Sequence, residues 1–265
     1  MQNSNKKHNL AVCMIASGSK GNSIFISDGL TSILIDAGLS GIEIERRMKD
    51  QNLNPKNLDA VVVSHEHTDH IKSVGVLSRR FNLPVYINRK THKAASRQLG
   101  KIDDIRYFEC GFTFMLSTLT LHPFSISHDA EDPAGFTIKN QQGKIGIVTD
   151  TGMATAMVKE NLKQCSVLIL EANHDLSMLI NGPYPWPLKQ RIKSKAGHLS
   201  NEESKTLLQE LYSKQLSHVI LSHLSDTNNN PTKAISVVGQ AIYDPSAIKL
   251  SVVTQDKSSD LIFVK

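Results

Sequence analysis

Residues 58–71 read LDAVVVSHEHTDHI. Val61, Val62 and Val63 form a β-branched run that reads as a buried strand. That strand empties into His65, Glu66, His67, Thr68, Asp69 and His70. Neutral imidazoles and a carboxylate packed this closely suit a divalent cation better than an apolar core. Side chains two apart in an extended segment point the same way, so His65 and His67 can grip one ion together. Residues 71–81 have helical spacing, and a turn into that helix aims Asp69 and His70 at a second ion. Two ions about 3.5–4 Å apart form the clamp used in many phosphoesterases.

The bulk numbers set bounds around this motif. A chain of 265 residues with 40% hydrophobic residues can bury a sizeable core. No apolar run approaches the roughly 20 residues of a membrane span. The first ten residues, MQNSNKKHNL, lack a signal-peptide core, so a cytoplasmic protein is expected. Cys13, Cys110 and Cys165 are scattered and form no C-x-x-C pair, so neither a disulfide framework nor a thiolate zinc site is indicated. The net charge of +5 is compatible with a polyanionic substrate and does not demand one. No repeat, low-complexity segment or linker interrupts the chain, so residues 1–265 read as one domain of unknown oligomeric state.

Outward from the motif, strands are expected at 10–16, 24–27, 31–35, 84–87, 112–124, 134–138, 144–148, 167–170, 218–221, 249–253 and 261–264. Helices are expected at 41–51, 91–99, 155–162, 201–212 and 232–243. Ser200 reads as a helix N-cap with Glu203 in the capping-box position. The polar loop 17–23, SGSKGNS, reads equally as a hairpin turn or as the rim of a site, with Ser19 and Asn22 facing a ligand. Asp36 ends a strand and fits the N-cap of the helix expected at 41–51. Asp150, also at a strand end, fits either an N-cap or a ligand facing a pocket. His128 and His223 likewise lie where strands end. Residues 182–187 look like an irregular loop packed on Trp186, the chain's one tryptophan, and Lys189, Arg191, Lys193 and Lys195 follow it.

His65-x-His67-x-Asp69-His70 after an apolar strand resembles the metal motif of the metallo-β-lactamase-fold hydrolases. The resemblance extends over almost the whole chain. It implies an α/β fold, a four-layer αβ/βα sandwich with mixed sheets and two divalent ions, zinc or manganese, at the edge between them. It places His65, His67, His128 and Asp150 at one ion. Asp69, His70, His223 and the bridging Asp150 would hold the other, with Asp36 behind the ligands.

The segments Glu171-Ala172-Asn173, Gly197-His198-Leu199-Ser200 and Ser222-His223-Leu224-Ser225 resemble the ribonuclease Z order. Together with loop 17–23 they look like the YycJ/WalJ-type branch. That likeness implies a phosphodiesterase, a 5′-to-3′ exonuclease on double-stranded DNA that acts through a metal-bound hydroxide. Asp69, His198 and Glu171 would be its catalytic residues, with Glu171 orienting His198. Lys189, Arg191, Lys193 and Lys195 would neutralise neighbouring phosphates. Glu171 and His198 are also compatible with a structural pair under the Trp186 loop. The competing functions are a phosphodiesterase for cyclic or nucleotide phosphates, a thioester or lactam hydrolase, and a metal-binding regulatory protein without turnover.

Overall fold

The computed structural model describes residues 9–264; residues 1–8, where no signal peptide is expected, lie outside the described residues. Six strands open the chain: β1 (Ala11–Ala16), β2 (Ser23–Ser27), β3 (Ser32–Ile35), β4 (Ala60–Val62), β5 (Val85–Asn88) and β6 (Ile105–Phe108). They lie side by side in that order, antiparallel through β3 and parallel from β3 onward. The second sheet holds β7 (Phe114–Leu116), β8 (Leu119–Ser125), β9 (Ala134–Lys139), β10 (Lys144–Val148), β11 (Val167–Glu171), β12 (His218–Ser222) and β13 (Lys249–Val252). Its β10 to β13 are parallel. The last strand, β14 (Ile262–Phe263), returns to the first sheet beside β1.

Strand alternation builds the layers. Ile33, Ile35 and Val62 join Phe136, Ile147, Ile169 and Ile220 in the seam between the sheets. Their neighbours Leu34, Val61 and Val63 face the other way, onto α1 (Gly41–Asp50) and α3 (Val74–Phe81) through Ile44, Met48 and Leu77. On the second sheet Leu168, Leu170, Val219 and Leu221 pack outward on Val158, Leu207, Leu208 and Val238. These come from α5 (Ala156–Leu162), α8 (Asn201–Leu211) and α9 (Pro231–Val238). The result is the four-layer sandwich with mixed sheets. Strands buried on both faces explain the continuous apolar runs in the sequence.

Local differences have local causes. The helix expected over 71–81 is two pieces, α2 (Thr68–Ile71) and α3, because Ser73 N donates to Ala37 O at 2.9 Å instead of extending α2. The strand expected over 112–124 is the β7–β8 hairpin, which turns at Ser117 with φ of 54°. An unexpected strand, β6, follows α4 (Arg89–Leu99). Of the irregular loop expected over residues 182–187, only 182–185 lie outside helices, between the short helices α6 (Leu176–Asn181) and α7 (Trp186–Ile192), and Trp186 opens α7. Trp186 is not packed beneath them; it is 61% exposed.

Candidate metal centre

The carboxyl ends of β3, β4, β10, β11 and β12 lie along one edge of the sandwich, where parallel strands generally present ligand-binding residues. Asp36 follows β3, Asp150 comes two residues after β10, and His223 follows β12. All three take left-handed backbone, with φ of 63°, 55° and 56°. Non-glycine residues rarely hold that conformation, and its recurrence at functional sites reflects strain retained by the surroundings. Each sharp corner turns a side chain back over a sheet edge.

His65 and His67 lie in the extended segment after β4, and α2 then carries Asp69 and His70. Ligating atoms of His65, His67 and His128 lie within 4.8 Å of one another, as do those of Asp69, His70 and His223. Asp150 sits between the groups. Its Oδ2 is 3.2 Å from His70 Nε2, and its Oδ1 is 3.2 Å from His223 Nε2. His128 Nε2 is 3.2 Å from His67 Nδ1. The structure therefore gathers all seven residues expected as ligands at one edge.

Asp36 caps no helix; Ser40 is the N-cap of α1. Asp36 Oδ2 instead lies 2.7 Å from His70 Nδ1 and accepts from Ser64 Oγ at 2.7 Å, while Oδ1 accepts from Ser64 N at 2.8 Å. A carboxylate that holds one imidazole nitrogen protonated leaves the other free as a ligand. Ser64 Oγ is also 2.9 Å from His65 Nδ1, so a single aspartate and serine orient two histidines. Loop 17–23 braces the same region from behind. Asn22 Nδ2 lies 3.2 Å from Asp69 Oδ2, Asn22 N donates to Asp69 O at 2.7 Å, and Ser17 Oγ accepts from His223 N at 2.7 Å. Gly38 is required here, since a Cβ would overlap the Asp69 carbonyl. Asn22 is thus buried against the motif, whereas Ser19 is exposed on the rim.

The carboxylate of Glu171, fully buried at the end of β11, joins the second group of histidines to His198. Its Oε1 lies 2.7 Å from His198 Nδ1 and 3.0 Å from His223 Nδ1, and its Oε2 accepts from Thr151 N at 2.9 Å. Ser17, Ser64 and Asn173, whose Nδ2 donates to His223 O at 2.9 Å, are supports that the sequence reading did not single out as such. Nothing in their spacing distinguishes them from ordinary turn residues.

The basic residues divide. Lys189 is only 9% exposed, and its Nζ donates to Ile180 O and Gly182 O at 2.7 Å each. It staples α7 to the end of α6 and does not face solvent. Arg191 Nε donates to Asp129 Oδ2 at 2.7 Å, and Asp129 Oδ1 is 3.5 Å from His128 Nε2. Lys193 and Lys195 are exposed.

Charge in this cluster is strongly redistributed. Burial alone would push the Asp150 carboxyl up, but His223 and His70 hold it well below the usual carboxylate range. Glu171, also buried, is held at about 2 by His198 and His223. Burial opposes a charge on His223, yet Asp150, Asp69 and Glu171 raise it to about 10. His70 is held well above the normal histidine range by Asp150 and Asp36 despite its burial. His65 is driven well below that range, first by burial and then by the charge on His70. The carboxylates of this cluster thus favour positive charge on its histidines, and a ligating histidine must instead be neutral. The buried atoms His65 Nε2, Asp150 Oδ2 and His223 Nε2 make no hydrogen bond. Converging buried donor atoms left without hydrogen bonds fit a divalent ion pair, in oxygen and nitrogen surroundings without thiolate.

Comparison with known proteins agrees with this geometry. Residues 31–224 match the family described as Beta-lactamase superfamily domain. The chain is 36% identical over 231 residues to Exodeoxyribonuclease YycJ of Bacillus anthracis, covering 86% of this chain and 88% of that protein. It is 37% identical over 220 residues to Exodeoxyribonuclease WalJ of Streptococcus pneumoniae serotype 2, covering 82% of each. The metallo-beta-lactamase fold protein YhfI from Bacillus subtilis has the same fold, with a TM-score of 0.74 at 17% identity over 95% of this chain and 99% of that one.

Proposed function

Since this chain belongs to the β-lactamase superfamily and to its YycJ/WalJ-type branch, we propose that it is a divalent-metal-dependent exodeoxyribonuclease, a hydrolase of phosphodiester bonds. It works as one catalytic domain in the cytoplasm and removes nucleotides from 5′ ends of double-stranded DNA. The observation that carries this reading is the Glu171–His198 pair at 2.7 Å, set beside the clustered ligands. A lactam or thioester hydrolase would leave that pair without work.

His65, His67 and His128 would hold one ion and Asp69, His70 and His223 the other, with Asp150 reaching both. Zinc and manganese both suit such donors. A bound pair supplies Lewis acidity toward a phosphoryl oxygen and acidifies a water at neutral pH. The chain's own residues do the rest. Asp36 and Ser64 fix the imidazoles of His70 and His65 before substrate arrives. Asp69 belongs to the ligand cluster itself, with Asn22 holding its carboxylate in place. Glu171 orients the His198 ring by accepting from Nδ1. Its Nε2 would contact the phosphate or, with the ring doubly protonated, hand a proton to the departing oxygen, which leaves the Nδ1–H form that Glu171 holds. Exposed Lys193 and Lys195 offer positive charge to flanking phosphates.

The deciding experiment incubates the manganese- or zinc-loaded protein with 5′-labelled duplex DNA and, separately, with a bis-phenyl phosphate ester. Nucleotide release from 5′ ends is expected. Cleavage of the small ester with intact DNA would replace this reading with a small-molecule phosphodiesterase.

A further inference from the structure

Helix α4 reads RKTHKAASRQL, with four cations, Arg89, Lys90, Lys93 and Arg97, and no carboxylate. The whole chain carries a net charge of only +5, so an excess of nearly that size sits on these 11 residues. Thr91, Ala95 and Leu99 form the buried face. Lys90, Lys93 and Arg97, spaced i, i+3 and i+7, share the opposite side and are exposed, as is Arg89. Lys90 Nζ is 3.9 Å from Asp132 Oδ2, and Arg89 lies over the Tyr107 ring at 4.1 Å. Among the described residues no carboxylate pairs with Arg89, Lys93 or Arg97.

This arrangement works against the helix that carries it. Cations in the first turn oppose the helix dipole. Like charges one turn apart, as in Arg89–Lys93 and Lys93–Arg97, repel. A row of anions laid along the exposed face would relieve both.

The same helix is tied to two segments that carry the proposed ligands. Thr68 Oγ1, next to Asp69 in α2, donates to Gln98 Oε1 at 3.3 Å. Thr91 Oγ1 donates at 3.4 Å to the carbonyl of Asp132, in the loop that holds His128. From behind, Gly75 of α3 lets α4 approach, because a Cβ there would overlap the Leu99 carbonyl. Arg79 Nη1 donates to Leu99 O at 3.1 Å and to Lys101 O at 2.7 Å, which fixes the far end. Exposed Lys72, at the end of α2, continues the basic surface. At about 1.5 Å per residue α4 is about 16 Å long, the rise of about five base pairs at about 3.4 Å each.

We propose that α4 grips the backbone of double-stranded DNA beside the ligand cluster, with Lys90, Lys93 and Arg97 contacting phosphates of the duplex that flanks the bond being cut. The assignment rests on the nuclease reading and deepens it, by naming the surface that holds the duplex. The grip is electrostatic and independent of base sequence.

The test follows the anisotropy of a labelled duplex with cleavage-resistant phosphorothioate ends, titrated with metal-loaded protein across a range of salt. Lys93→Ala combined with Arg97→Ala should weaken binding about tenfold or more at low salt and reduce the slope of log K against log salt by about two. Lys249→Ala, at the opposite edge of the second sheet, should change neither by a comparable amount. The melting temperature of the double variant should hold or rise, since repulsion is removed. An unchanged slope in the double variant, or an equal loss in Lys249→Ala, overturns the proposal. So does a lowered melting temperature, which would show that these cations serve the fold. Wild-type protein that binds no duplex would instead remove the nuclease reading, and the role of α4 with it.

Discussion

Glu171 Oε1 lies 2.7 Å from His198 Nδ1 in the interior of the protein. The same oxygen lies 3.0 Å from His223 Nδ1, so one buried carboxylate governs both a proposed ligand and the proposed acid. Glu171→Gln should therefore lose on two counts. Metal retention should fall about 10–100-fold, the usual effect of removing a carboxylate behind a ligating histidine, and turnover should fall with it. His198→Ala should lower turnover while metal content, read by elemental analysis, stays at the wild-type level. Metal loss in His198→Ala would show that His198 is a ligand.

Asp36→Asn separates orientation from charge. Asparagine tolerates left-handed backbone, so the corner at φ of 63° survives. The anionic acceptor for His70 Nδ1 and Ser64 is lost. Calorimetric titration should find metal affinity about 10–100-fold weaker. Unchanged affinity would make Asp36 a packing residue only.

Metal uptake should release protons. His223 at about 10 and His70, held well above the usual range, are protonated at neutral pH in the metal-free protein. A ligating histidine must be neutral. Titration at pH 7.5 in buffers of different ionisation enthalpy should detect release of about two protons, and affinity should rise with pH. For the metal-free protein, the signs follow from the shifted groups. The stabilisation from charged His223 is complete below its unfolded value of 6.5 and is lost as pH rises toward about 10. That from Glu171 is present above its unfolded value of 4.5 and is lost as pH falls toward about 2. Thermal unfolding of the chelated protein across pH checks both limbs.

The basic residues should separate in a salt titration. Substituting Lys193 and Lys195 together by alanine should weaken DNA binding and reduce the slope of log K against log salt by about one to two. Lys189→Ala should leave that slope alone. It strands two carbonyls at the α6–α7 junction, and unfolding should reveal a loss of about 1–3 kcal/mol.

Most of the frame was legible because burial on both faces writes itself as apolar runs, as in residues 60–63 and 167–170. The ligand-rich segment 65–70 was legible because its composition is hard to reconcile with a core. Lys189 was not. In a run of alternating basic residues nothing marks the one that shares an inward face with Leu188 and Ile192 until the helix is built. The exposure of Trp186 ran against its hydrophobicity for the same reason. The Ser64–Asp36–His70 and Glu171–His198–His223 clusters join residues far apart in the chain, and local pattern carries no information on such meetings.

The division of the strands has a practical corollary. Strands β1 to β6 and β7 to β13 are each contiguous, and the crossing between the sheets is the short exposed turn around Gly111 and Phe112. A protease nick there would yield an amino-terminal fragment carrying His65, His67, Asp69 and His70, and a carboxy-terminal fragment carrying His128, Asp150 and His223. Apart from β14, which belongs to the second fragment and pairs with β1 of the first, they would adhere through the apolar seam and whatever cations span it. The molecule thus divides into two half-chelators, and a divalent metal should tighten the adhesion of the two fragments beyond what the apolar seam provides.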